Sequence, residues 1–164
     1  MHLSCQSLNL HFMDIKTRLK DLGITLPDPP APVAAYVPFT IAGNLLHVAG
    51  QLPLLDGKLQ FPGHLGGTVS LEDGQKAARQ CAINVLAQVK AACGDLNKVR
   101  GCLKLGVFIA ATADFTQHPE VANGASELIA AVLGEAGKHA RSSVGVPSLP
   151  RGAAVEVDAV FELA

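Results

Sequence analysis

The chain has no Trp and one Tyr, and aromatic residues make up only 4% of its 164 residues. Proteins that bind single-stranded nucleic acids stack bases on exposed aromatic rings and usually carry an excess of basic charge. Here 13 Lys and Arg residues balance 14 Asp and Glu residues, for a net charge of -1. Both deficits argue against nucleic acid as a partner.

Cysteine and histidine patterns typical of metal sites are also missing. The six histidines form no HxxxH or HxH pair, so no metal site is predicted. The cysteines show no CxxC spacing, and we expect reduced thiols that pack as small apolar side chains. They are Cys5, Cys81, Cys93 and Cys102.

Long apolar runs are absent as well. No stretch approaches the roughly 18 apolar residues of a membrane span. The first twelve residues lack the basic and apolar regions of a signal peptide, and Met13 is a second possible start. These features predict a cytoplasmic protein that does not contact a membrane.

Apolar residues are abundant, at 49% of the chain, whereas charged residues make up 16%. One domain of this length can bury a sizeable core without disulfides or metals. Residues 1–35 are predicted to form an extension with a flexible start, a short helix at 14–22 and a proline-rich strap at 26–32. The main domain is expected over residues 36–164.

The main domain alternates strand and helix patterns. Strands at 36–41 and 45–50 flank a Gly43-Asn44 turn, and Asp56-Gly57 marks a second hairpin. A helix capped by Ser70 is predicted to end at Gly94. A strand, a helix and two strands follow, at 101–111, 119–133, 141–146 and 154–163.

This order predicts an α+β domain with a mixed sheet. The right-handed crossover rule places both helices that follow strands on the same face of the sheet. The opposite face would be uncovered in a monomer, and the apolar composition favours another subunit as its cover. In strand 101–111, Leu103, Leu105, Val107 and Ile109 are expected to share one face.

Arg141 and Glu156 are the main candidates for chemistry. A guanidinium can grip a carboxylate through two parallel hydrogen bonds, although a solvated arginine or a structural ion pair is the alternative. Glu156 can act as a general base, or it can be an ordinary surface glutamate. Antiparallel pairing of the two C-terminal strands would bring both residues together. Asp158 and Glu162 share the face of Glu156, and the pattern does not choose among the three.

Three weaker candidates carry single signals. Gly50 ends a strand, where backbone amides can approach a ligand closely. Asn123 lies early in the second helix of the main domain, where it could equally be a turn former. Tyr36 is the only tyrosine, and core packing with a bonded hydroxyl is its default interpretation.

Taken together, these segments resemble the RidA (YjgF-type) reactive-intermediate deaminase family, whose members are often labelled endoribonuclease L-PSP. The most specific part is the block 141–158, which begins Arg-Ser-Ser-Val-Gly-Val. The Tyr36 segment, the block 48–53 and Asp114-Phe115 with the later Asn123 also match. The resemblance covers residues 36–163, so the extension lies outside it.

The resemblance implies a chorismate-mutase-like subunit in a homotrimeric barrel, with ligand clefts between subunits. Family members hydrolyse enamines and imines such as 2-aminoacrylate to 2-keto acids and ammonia, without metal or organic cofactor. It further implies that Arg141 holds a substrate carboxylate with the amide of Gly50, and that Glu156 activates water. Tyr36, Asn123 and Ser143 would line the cleft.

Two positions depart from the family pattern. Many deaminating members have a hydroxyl residue where this chain has Ala49 and a cysteine where it has Ser143. Neither change removes the predicted carboxylate clamp. A non-catalytic trimer that binds small carboxylates is therefore an alternative to the deaminase, and an endoribonuclease is a third hypothesis, disfavoured by the balanced charge.

Overall fold

The computed structural model describes residues 14–32 and 34–164. The predictions for Cys5 and for the flexible start lie outside the described residues. The helices are α1 (Ile15–Asp21), α2 (Leu71–Cys93) and α3 (His118–Leu133). The strands are β1 (Phe39–Ala42), β2 (Leu45–Gln51), β3 (Leu54–Leu55), β4 (Lys58–Leu59), β5 (Val99–Ala110), β6 (Ala140–Val146) and β7 (Val155–Leu163).

Both predicted hairpins are confirmed. β1 and β2 pair antiparallel around Gly43, which has a φ of 62°. β3 and β4 pair around Asp56 and Gly57, whose φ values of 50° and 74° suit the tight turn of a two-residue hairpin. The first strand begins at Phe39 rather than at residue 36, because Pro38 has no N–H to donate to a sheet.

The long helix α2 begins and ends as its sequence signals predict. The Ser70 hydroxyl accepts a hydrogen bond from the Asp73 N–H at 3.1 Å, and Gly94 ends the helix with a φ of 76°. Helix α3 packs against α2, and Gly124 makes this approach possible. A Cβ at Gly124 would lie 2.0 Å from the backbone oxygen of Gln75. Both helices lie on one face of the sheet, as predicted.

The five-stranded sheet has the order β1-β2-β7-β5-β6, and only the pairing of β5 with β6 is parallel. The prediction that the two C-terminal strands pair as a hairpin is wrong, since β5 lies between them. β6 follows β5 through the crossover helix α3, and such a connection joins parallel neighbours. The other side of β5 is then taken by β7.

Side chains of the two sheet faces differ in burial. Leu105, Val107 and Ile109 of β5 lie under the helices and are buried, as predicted. Leu103 was expected to join them, but it is 41% exposed. The pairing of β5 with β7 shifts register between Cys102 and Lys104, so Cys102 is buried there instead.

The opposite sheet face, here called the open face, is not covered by α2 or α3. It carries Phe108, Val144, Glu156 and Asp158, which alternate with the buried residues of their strands. Val144 is 45% exposed. Charged and apolar side chains are mixed on this face, whereas the central strands β5 and β7 present buried apolar side chains to the helices.

The N-terminal segment packs on the helix side of the main domain. Leu19 of α1 is buried in the same core as the sheet. The buried Gln88 side chain of α2 donates a hydrogen bond to the Pro30 oxygen at 2.8 Å and so holds the proline-rich strap. The division of the chain at residue 35 stays a prediction.

Candidate functional site

Arg141 lies on the edge strand β6 and faces the helices. It pairs with Leu105, whose side chain is buried under α2 and α3, and paired residues of neighbouring strands share a face. Gly145, four residues along the same strand, faces the start of α3. A Cβ there would lie 2.5 Å from Nε2 of His118.

Three hydrogen bonds hold the guanidinium of Arg141 against α3. Nη1 donates to Asn123 Oδ1 at 2.9 Å and to Ser126 Oγ at 3.0 Å, and Nη2 donates to the Pro119 oxygen at 3.3 Å. Of the five N–H donors, Nε–H and one on Nη2 have no acceptor among the residues that the structure describes. Nε and Nη2 form the side edge of the guanidinium, which can hold both oxygens of a carboxylate.

The three acceptors come from one face of α3, since Pro119, Asn123 and Ser126 are spaced four and three residues apart. Asn123 was predicted to line the ligand cleft, and the structure shows its amide oxygen bonded to Arg141. Ser126 was missed by the sequence analysis. The signal that would have found it is its spacing of three residues from Asn123 on the same helix.

Glu156 faces the other side of the sheet, on the open face of β7. It lines a cavity of about 300 Å³ together with Tyr36 and Gly50. The strap contributes Pro30 and Pro32 to the wall of this cavity. Most of the remaining wall is apolar, so the carboxylate of Glu156 is placed beside a largely apolar space.

Gly50 is required for this position of Glu156. The pairing of β2 with β7 shifts register between Val48 and Gln51, and Gly50 lies in the irregularity. A Cβ at Gly50 would lie 1.9 Å from Oε1 of Glu156. Only glycine therefore allows the carboxylate to lie directly against the β2 backbone.

Burial raises the pKa of the Glu156 carboxyl above its ordinary value, and the negative charge of Asp158 raises this pKa further. Burial also raises the pKa of Asp158, opposed by a hydrogen bond from the Gly106 backbone and by the charge of Lys104. Glu162 lies apart, where it accepts a hydrogen bond from Asn44 at 2.9 Å. Of the three carboxylates on this face, Glu156 lines the cavity that contains Gly50 and Tyr36.

Within one chain, Arg141 and Glu156 do not meet. Arg141 lies level with Leu105 of β5, and Glu156 lies level with Phe108, three residues further along. Two strand spacings and three residue rises separate their Cα atoms by roughly 14 Å. Their side chains also point to opposite faces, so the predicted meeting on a C-terminal hairpin is wrong.

The two positions that depart from the family pattern lie on different faces. Ser143 shares the face of Arg141 on β6, level with Val107. Ala49 lines a second cavity on the open face, together with His47, Lys104 and Asp158. Ser143 therefore accompanies the arginine, whereas Ala49 lies in the strand that also carries Gly50.

Neither a metal cluster nor a membrane helix is found in the described part of the chain. Within residues 14–32 and 34–164, no group of three His, Cys, Asp or Glu residues lies close enough together to hold a metal ion. Over the same residues, no helix combines the length and the apolar character needed to cross a bilayer.

The fold defines the class of this protein: an α+β domain with a mixed sheet, two helices on one face and an open second face. A family model described as "YjgF/chorismate_mutase-like, putative endoribonuclease" matches residues 16–163. The chain belongs to this family.

Individual proteins are similar to this chain over most of its length. Protein TCP17 of Trypanosoma cruzi is 49% identical over 150 residues, which cover 91% of this chain and 94% of the relative. The crystal structure of Atu1372 from Agrobacterium tumefaciens, a protein of unknown function, has 53% identity and a TM-score of 0.86 and covers 92% of both chains. E. coli TdcF, solved with bound serine, shares the fold at a TM-score of 0.62 with 22% identity, over 84% of this chain and 94% of its own.

Proposed function

We propose that this protein hydrolyses reactive enamines and imines of 2-keto acids, such as 2-aminoacrylate, in clefts formed between copies of the chain in a homotrimer. The observation that carries the proposal is the hydrogen bonding of Arg141 together with the burial of Glu156. The guanidinium of Arg141 is held by three hydrogen bonds within its own chain, and its Nε–H and one N–H of Nη2 remain available to a ligand. Glu156 is half-buried in a cavity, and its pKa is raised.

Arg141 would bind the substrate carboxylate. Two parallel N–H···O bonds between a guanidinium and a carboxylate fix both the position and the orientation of a small acid. The bonds from Arg141 to α3 keep the guanidinium in one orientation before the ligand arrives, so less conformational entropy is lost on binding. Serine, the ligand bound to TdcF, also carries a carboxylate.

Glu156 would act on water. As the enamine, 2-aminoacrylate becomes the imine when a proton is added to its methylene carbon. The carboxylate of Glu156 removes a proton from water as the water oxygen bonds to the imine carbon. Return of that proton to the amino nitrogen lets ammonia leave, and the hydroxyl proton passes to the Glu156 carboxylate as the C=O bond forms, which gives pyruvate. A general base works best when its pKa is near the working pH, and the raised pKa of Glu156 moves it in that direction.

The two side chains can serve one small ligand only if they come from different copies. Roughly 14 Å and opposite sheet faces separate them within a chain. Arg141 lies on the edge strand β6, where a neighbouring copy can approach. On the open face, Phe108 and Val144 are paired residues that offer apolar contacts to such a neighbour.

A trimer that binds small carboxylates without turnover is the alternative, and Ala49 favours it. A hydroxyl at this position would add a hydrogen-bonding group in the strand that carries Gly50. Without it, the orientation of water or substrate depends on other groups such as Glu156. Binding of 2-ketobutyrate with no acceleration of hydrolysis would identify the protein as this binder.

The test is hydrolysis of 2-aminoacrylate generated in place by a serine dehydratase, followed as pyruvate release. The protein is expected to accelerate release, and Arg141→Ala is expected to reduce the acceleration by about ten- to hundredfold through the loss of a charged hydrogen bond. Arg100→Ala, at an exposed arginine of β5, is the matched control and should retain the rate. An unaccelerated reaction at high protein concentration would reject the deaminase.

A further inference from the structure

Two further side chains, Ser126 and His139, are connected to Arg141 by hydrogen bonds. Ser126 Oγ, which accepts from Arg141, also lies 2.9 Å from Nε2 of His139. The other ring nitrogen of His139, Nδ1, lies 2.6 Å from the Gly137 oxygen. These contacts link the backbone of Gly137 to the guanidinium through one imidazole and one hydroxyl.

The direction of each hydrogen bond follows from the chemistry of its ends. A carbonyl oxygen only accepts, so Nδ1 of His139 carries a hydrogen and donates it to Gly137. In the neutral imidazole, Nε2 is then an acceptor, and the Ser126 hydroxyl donates to it. This leaves the lone pairs of Ser126 Oγ for the N–H of Arg141. Each of the three hydrogen bonds then joins one donor to one acceptor.

We infer that Ser126 and His139 are positioning residues that aim the guanidinium of Arg141 at the ligand carboxylate. The inference rests on the proposed role of Arg141. An arginine side chain has many rotamers, and a fixed guanidinium loses less entropy when it binds. His139 fixes the rotation of the Ser126 hydroxyl, and that hydroxyl in turn fixes one N–H of Arg141.

A hydroxyl bonded to an imidazole that is oriented by a third group is also the arrangement of a serine nucleophile. The bond from Arg141 distinguishes the two roles. A cationic donor on Ser126 Oγ draws electron density from the oxygen and lowers its nucleophilicity, whereas it suits an acceptor that holds the arginine. A serine-directed phosphonofluoridate is therefore expected to leave Ser126 unlabelled, and labelling of Ser126 would overturn the inference.

The test measures binding of 2-ketobutyrate by calorimetry together with KM and kcat for 2-aminoacrylate. Ser126→Ala and His139→Ala are each expected to weaken binding and raise KM by about three- to tenfold with little change in kcat, because a carboxylate clamp acts equally on substrate and transition state. Ser126→Thr keeps the hydroxyl and should restore most of the affinity. Glu127→Ala, on the exposed side of α3, is the matched control.

Double variants separate this inference from the proposed function. In the Arg141→Ala background, Ser126→Ala is expected to cause no further loss, since its effect passes through the arginine. If Arg141→Ala itself changes neither binding nor rate, the proposed function fails. If Arg141→Ala weakens binding but Ser126→Ala adds a full, independent loss to it, Arg141 keeps its role and the positioning inference is wrong.

Discussion

At the scale of single residues, the site depends on small side chains as much as on charged ones. Glu156 lies directly against the β2 backbone because position 50 has no Cβ. Arg141 is oriented by Asn123 and Ser126, whose side chains are short and polar. The positions of both charged groups are therefore set by neighbours that carry no charge.

Gly50→Ala is expected to lower the rate of 2-aminoacrylate hydrolysis by about tenfold or more while the protein still folds. The new methyl group would meet the flexible end of Glu156, so the carboxylate moves and the backbone stays. Pyruvate release and a thermal melt measure the two effects separately. Gly101→Ala is the matched control, because the nearest atom to its Cβ lies 3.8 Å away. An unchanged rate in Gly50→Ala would remove Glu156 from the mechanism.

Glu156→Gln is expected to raise the melting temperature at neutral pH by about 1–3 °C. The folded protein raises the pKa of Glu156, so stability is complete below the unfolded-state pKa and falls as pH rises through the folded-state value. Glutamine imitates the protonated form, so the two melting curves should converge as pH falls below about 4. Melting curves from pH 4 to 8 test this, with Glu127→Gln as the control. A constant difference across this range would contradict the prediction.

Residue identities were partly predictable from the sequence. Arg141 and Glu156 were singled out, but the pattern could not separate Glu156 from Asp158 and Glu162, because all three alternate onto one face. Which of the three carboxylates reaches the cavity depends on which residue of β2 lies opposite each of them and on where the pairing of β2 with β7 shifts register. Ser126 and His139 were missed because their link to Arg141 depends on how α3 packs against the edge of the sheet, which no local sequence pattern specifies.

At the scale of elements, local signals predicted the helices and the turns, and non-local pairing decided the rest. Ser70, Gly94 and the Asp56-Gly57 pair each act within a few residues, and the structure confirms all of them. The partner of β6 is decided by the crossover through α3. The short connection between β6 and β7 suggested a hairpin, but its length does not show whether another strand, here β5, lies between them.

Gly124→Ala is expected to destabilise the protein by about 1–3 kcal/mol, the range for overpacked contacts. An alanine in a helix usually stabilises relative to glycine by about 1 kcal/mol, so the sign is reversed here. The reason is the backbone oxygen of Gln75, which cannot rotate away as a side chain can. Urea unfolding gives the free energy of unfolding directly.

Gly74→Ala provides the comparison for this prediction. Its Cβ would lie 2.7 Å from Cδ1 of Leu65, the end of a side chain. We expect a smaller loss, within about 1 kcal/mol, because that end can move. Equal losses at Gly74 and Gly124 would show that the contact between α2 and α3 is not a rigid one.

At the scale of the whole molecule, one sheet face is covered and the other is not. The family assignment and the crossover rule agree on this arrangement, and both could be inferred from the sequence. The sequence could not show that the two main residues of the candidate site lie on opposite faces of the sheet. Arg141 lies on the covered face and Glu156 on the open face, which follows only from the strand order and register.

Val144→Asp is expected to convert a trimer into a monomer that keeps its fold. Val144 is 45% exposed on the open face, and a charge there would be buried against a neighbouring copy. Light scattering after size-exclusion chromatography should give about 51 kDa for the unaltered protein, three times the 17.0 kDa chain, and one third of that for the variant. Leu22→Asp, at a residue 40% exposed beside α1, should remain trimeric. A monomeric unaltered protein would exclude the shared clefts.

The separation of Arg141 from Glu156 has a genetic consequence. If each cleft joins the arginine of one copy to the glutamate of the next, Arg141→Ala and Glu156→Gln chains are each inactive alone and complement each other when co-expressed. With equal amounts and random assembly, about one cleft in four carries both native residues, so about a quarter of the normal activity returns. Two defective alleles would then restore hydrolysis in one cell. Continued inactivity of the mixture would show that both groups act within a single subunit.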